Sequence, residues 1–109
     1  RQLTTMSDNG NALRAAAVKA ERFADQAKRV TVIARTMSTH LRGMADELNA
    51  TIGGDANNFS NRGISLLNEV GQHEEYMARA TEQMARIAAS LAERLRMSAR
   101  REDDASAAR

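Results

Sequence analysis

The chain has no cysteine, no proline and no tryptophan, and only one tyrosine and two phenylalanines. Without cysteine there is no disulfide framework, and the redox compartment stays open. Without proline no helix is forced to kink or stop. Aromatic and β-branched residues, which strands favour, are few. No run of about 18 apolar residues occurs, so no segment reads as a membrane span. Signatures of chemistry are missing too. There is no Gly-x-Gly-x-x-Gly and no P-loop. The stretch His73-Glu74-Glu75-Tyr76-Met77 begins like a zinc-protease motif but has Met77 where the second histidine belongs. No nucleic-acid-binding module is recognisable, and no aromatic residues are interleaved with the basic ones for base stacking. The chain also lacks the Trp-x-Gly turn of small secreted helical hairpins. Ala80 stands where their acidic residue would follow Tyr76.

What is present is helix-forming. Ala, Arg, Glu, Met and Leu dominate the 109 residues, which make one domain at most. Much of the apolar content is alanine, which buries little area. A single compact core would be thin, so an elongated or oligomeric all-α structure is expected.

The apolar residues are strictly spaced. Steps of alternately three and four residues visit Leu13, Ala16, Ala20, Phe23, Ala27, Val30, Ala34, Met37, Leu41, Met44 and Leu48 without meeting a polar side chain. Such a 3-4 repeat is the seam of a coiled coil. Asp8 or Asn9 suits the N-cap, and Gly53-Gly54 ends the segment, predicting a helix over 9–52. A second path runs through Leu67, Val70, Glu74, Met77, Thr81, Met84, Ala88, Leu91, Leu95 and Ser98, predicting a helix over 63–101 with Ser60 or Asn61 as cap. Folding the two around residues 53–62 sets Leu48 opposite Leu67, Met44 opposite Val70, Met37 opposite Met77, Val30 opposite Met84 and Phe23 opposite Leu91. The expected fold is therefore a long antiparallel helical hairpin, a coiled coil with those large residues as its helix–helix core, associating into a four-helix bundle. A tighter turn capped by Asp55 is the alternative. Residues 1–8 are expected to be flexible and 102–109 to be a disordered tail.

A second column carries only small residues: Ala17, Ala24, Thr31, Ser38 and Ala45 on the first helix, Gly71, Ala78, Ala85, Ala92 and Ala99 on the second. Solvated flanks of coiled coils usually carry Glu, Lys or Gln. This column is thus expected to be an association face. On that reading Ala24→Glu with Ala85→Glu breaks association, whereas Met84→Asp unfolds the hairpin.

Charge is uneven. Residues 14–35 and 79–101 hold twelve Arg and Lys against four acids, and residues 36–78 hold two arginines against six acids. Arg14, Lys19, Arg22, Lys28, Arg29, Arg94, Arg96, Arg100 and Arg101 are candidate anion contacts at the basic end. His40 and His73 fall near one another in the expected register, a weak candidate for a metal site or pH switch. No cofactor is implied. The expected function is non-enzymatic: helix–helix packing with a second copy or another helical protein. The alternatives are binding of nucleic acid or an anionic surface through the basic end, and a small secreted or structural assembly subunit.

Overall fold

The structure, a computed structural model, describes residues 7–52 and 58–108, with side chains described over 7–52 and 61–108. It consists of α1 (Asp8–Ile52) and α2 (Asn58–Ala108), which form an antiparallel helical hairpin. Among the described residues there is no strand. The chain divides into two compact units. The terminal unit comprises Arg1–Ala27 and Gln83–Arg109, and the middle unit Lys28–Glu82.

Opposed direction is visible inside each unit. In the terminal unit Arg14 meets Asp103 and Glu21 meets Arg96, seven residues on in α1 and seven back in α2. In the middle unit Thr31 meets Thr81, while Ser38, further along α1, meets Gly71, further back in α2.

The helix ends depart from expectation in three ways. Ser7, rather than Asp8 or Asn9, caps α1: the Gly10 N–H donates to Ser7 Oγ at 2.7 Å and the Asn11 N–H to the Ser7 carbonyl at 2.9 Å. Asp8 instead sits in the first turn, where its charge favours the helix dipole. Second, α2 begins at Asn58, so Ser60 and Asn61 lie inside it and residues 53–57 alone separate the two helices. Those five, with the Asp55 cap alternative, lie outside the described residues, as does the Phe59 side chain. Third, α2 continues through residues 102–108, which are not a disordered tail. Glu102, Asp103 and Asp104 oppose the dipole at a helix C-terminus, and no basic residue sits in the last turn. A partner on α1 supplies the compensation that local sequence lacks. Asp103 accepts from the Ser7 N–H at 2.9 Å and from Arg14 Nη1 at 2.6 Å.

The interior is the small-residue column. Ala17, Ala78 and Ala99 have no exposed surface, and Ala24, Ala45, Ala85 and Ala92 are nearly as buried, with Thr31, Ser38 and Gly71 among them. Gly10, Ala27, Ala34 and Ala88 are buried as well. These three alanines belong to a column that both possible seams share, with Leu13, Leu41, Leu48, Leu67 and Leu95 half-buried in it. The residues assigned above to an association face are thus inside the hairpin, and the large residues assigned to its core flank it.

Two properties of the chain favour this rotation. Small side chains let the backbones approach closely. A Cβ on Gly71 would lie 3.2 Å from Arg42 Cγ and 3.5 Å from the Ser38 carbonyl oxygen. Rotation also decides which charges meet. With the small column inside, the next column out pairs Arg14 with Asp103, Glu21 with Arg96 and Arg35 with Glu82. With the bulky column inside, the facing flanks would be Lys19 with Arg94 and His40 with His73, which bring no opposite charges together.

Candidate helix-docking surface

The seven-residue repeats place charged or polar residues on one side of the buried column, Ala89 excepted, and large apolar ones on the other, Ala16 and Ser98 among the exceptions. On the charged side, Arg96 grips Glu21 through both nitrogens, Nη1 to Oε2 at 2.7 Å and Nη2 to Oε1 at 2.6 Å. This hydrogen-bonded pairing holds the Glu21 carboxyl below its ordinary pKa and raises that of the Arg96 guanidinium. Arg35 Nη1 donates to Glu82 Oε2 at 3.0 Å, which raises the Arg35 pKa. Asp103 is lowered, first by Arg14 and then by the Ser7 N–H. These pairs are solvent-facing and contribute orientation more than stability.

On the other side lie Phe23, Val30, Met37 and Met44 from α1 and Val70, Met77, Met84 and Leu91 from α2. All eight are 41–51% exposed. Their spacing is seven residues in both helices, so each is one position from a buried small residue: Phe23 beside Ala24, Met77 beside Ala78, Leu91 beside Ala92. In the terminal unit the two strips meet. Ala20 and Phe23 of α1 line one open apolar groove with Met84, Ile87, Ala88 and Leu91 of α2. That grouping matches the expected axial register, in which Phe23 lies opposite Leu91. Axial register was read correctly; rotation about the helix axes was not. In the middle unit Val30, Met37, Met44, Val70 and Met77 carry the same strip, and Ile33 and Leu66 widen it.

A half-exposed Leu, Met or Phe leaves unrealised roughly 1 kcal/mol, half of what full burial contributes. Within the terminal unit Phe23, Met84, Ile87 and Leu91 make a grouped apolar surface rather than scattered residues. The methionines are unbranched and adapt to whatever they pack against.

The other candidate residues do not converge. Of the nine possible anion contacts, Arg14 and Arg96 are bound to Asp103 and Glu21. Lys19, Arg22, Lys28, Arg29, Arg94, Arg100 and Arg101 are exposed. His40 and His73 are both exposed, and His73 packs edge-on against Tyr76, ring centroids 6.5 Å apart. Among the described residues no group of three or more His, Asp or Glu is placed to hold a metal ion. No described helix is long and apolar enough to cross a membrane.

The apolar flank was missed as a surface because its residues were spent on the interior. The signal that finds it is the charge column. Arg14, Glu21 and Arg35 on α1 pair with Asp103, Arg96 and Glu82, seven and then fourteen residues apart, and complementary flanks fix the rotation. Compared with known proteins, the chain matches no family model, no curated protein and no solved structure.

Proposed function

We propose that this chain is a non-enzymatic helical assembly protein that works by docking a helical surface along the flank of Phe23, Met84, Ile87 and Leu91 and the equivalent strip of the middle unit. The observation that carries this reading is the half-exposure of eight large apolar side chains at strict seven-residue spacing, beside an interior already filled by small ones. The hairpin covers only about half of each, so the other half is left to pack elsewhere. Docked helices bury such strips by knobs-into-holes packing.

The test is Met84→Glu with Leu91→Glu. The tagged chain is isolated from its native extract as wild type and as this variant. A stoichiometric complex, with its own copy or another helical chain, is expected for the wild type and is expected to be lost in the variant at unchanged helix content. Wild type and variant both eluting as the free 11.9 kDa chain overturns the proposal.

A further inference from the structure

Three of the exposed cations build no site of their own but edge the apolar groove of the terminal unit. Resting on the docking reading, we propose that the partner of this groove is an acidic amphipathic helix, one that carries Asp or Glu on both sides of its apolar stripe.

The groove is open and lined by apolar side chains alone, Ala20, Phe23, Met84, Ile87, Ala88 and Leu91. It runs between two helices, so the shape that fits it is a third helix packed against both. Helix geometry sets its borders. On α1, Lys19 lies four residues before Phe23, and Arg22 lies three residues past Lys19. On α2, Arg94 lies three residues past Leu91 and lines one open surface with Leu91 and Ile87. Residues three and four apart are neighbours on a helix face. Lys19, Arg22 and Arg94 are all exposed, and among the described residues none of them forms an ion pair. The other border positions, Gln26 on α1 and Gln83 and Ser90 on α2, are uncharged.

The acids of the terminal unit stand away from this border. Glu21 and Asp103 are held by Arg96 and Arg14 on the opposite flank. Asp25 and Glu93 follow Phe23 and Leu91 by two residues, which turns them about 200° around their helices. Asp8, Glu102 and Asp104 lie at the helix ends, about three turns or more from Ala20 and Leu91. The groove therefore offers an apolar floor between rims of positive charge only.

Rim charges beside an apolar seam select the partner more than they set its affinity. A helix with Lys or Arg beside its stripe meets like charge on both walls. A second copy offering its own groove brings Lys19, Arg22 and Arg94 against their counterparts. A helix with Glu or Asp in those places satisfies all three. An anionic bilayer matches the charge but not the concave shape, because an amphipathic helix enters a membrane interface by its convex apolar face.

The experiment uses the full chain and two labelled synthetic helices about three heptads long. They are identical except at the positions flanking a Leu stripe, which are Glu in one and Lys in the other. By fluorescence anisotropy the Glu peptide is expected to bind roughly tenfold tighter or more, and the preference to shrink as salt rises from about 0.01 M to about 1 M. Arg94→Glu is expected to reduce the preference, and Lys19→Glu with Arg94→Glu to reverse it, at unchanged helical circular dichroism. Arg100→Glu makes the same change of charge in the column of Glu93, away from the groove, and is expected to leave the preference in place. Met84→Gln with Leu91→Gln is expected to weaken binding of both peptides. Equal affinity for the two peptides, lost in the Gln variant, overturns the acidic partner while docking stands. Equal effects of Arg94→Glu and Arg100→Glu overturn it too, since the attraction is then not local to the groove. Binding of neither peptide overturns the acidic partner, and docking falls with it if the native extract yields only the free chain. Twice the 11.9 kDa mass in light scattering, with no peptide bound, overturns it in favour of a second copy. Phosphatidylglycerol vesicles bound more tightly than the Glu peptide overturn it in favour of an anionic lipid surface.

Discussion

Asp103 binds the beginning of α1 to the end of α2. Its Oδ1 accepts the Ser7 N–H, its Oδ2 the Arg14 guanidinium, so a side chain from α2 occupies the place where α1's first turn needs an acceptor. Because the folded-state pKa of Asp103 is depressed below the ordinary 3.8, the sign of the pH effect follows. The stabilisation is complete above that pH and fades as pH falls through the lower folded value. Amide exchange at Gly10, Asn11 and Ala12 is expected to accelerate as pH drops below 3.8 beyond the intrinsic trend, and Asp103→Asn is expected to abolish that acceleration. Gly10 is matched to the same contact. A Cβ there would collide with Asp103 Oδ1 and lie 2.9 Å from Ser7 Oγ. Gly10→Ala, despite the better helix propensity of alanine, is expected to cost about 1–3 kcal/mol in urea unfolding.

At the scale of the elements, two columns one residue apart have exchanged the roles that hydrophobicity alone assigns them, and mutation outcomes exchange with them. Ala85→Glu puts a charge into the closed interior and is expected to cost more than about 3 kcal/mol. Met84→Glu, its neighbour in sequence, faces solvent and is expected to cost roughly 1 kcal/mol or less in the same denaturation. Equal losses for the two would contradict the rotation. The interior also holds one hydroxyl pair, Thr31 Oγ1 and Thr81 Oγ1 at 2.6 Å, with Thr81 also bonded to the Met77 carbonyl at 2.9 Å. Thr31→Val removes the contact with Thr81 Oγ1, which keeps its bond to the Met77 carbonyl, and is expected to cost about 1 kcal/mol or less. The coupling of the two hydroxyls is read by a double-mutant cycle with Thr81→Val. Existence, type and axial register of both helices were legible from the 3-4 spacing and the absence of proline. Rotation was not, because two seams share the column of Ala27, Ala34 and Ala88, and apolar size favours the wrong one. The extension of α2 past Arg101 was illegible for a different reason. It depends on Ser7 and Arg14, some ninety residues away in sequence.

For the whole molecule, the consequence is a hairpin that closes on alanine and leaves its large side chains half-exposed. On the docking proposal, their burial has to offset an association cost of roughly 4–15 kcal/mol. The fold also carries an implication about order in time. The bond between Ser7 and Asp103 spans 96 residues of chain, whereas contacts near the turn close short loops. Loop-closure entropy rises with the length enclosed, so pairing is expected to start beside residues 53–57 and zip outward, with the Asp103 clasp last. In folding kinetics Asp103→Asn is then expected to leave the folding rate nearly unchanged and to speed unfolding, while Ala45→Gly, close to the turn, slows folding. The clasp that joins the helix ends is in this sense a record of completion: on this order of pairing it closes after the repeats between it and residues 53–57.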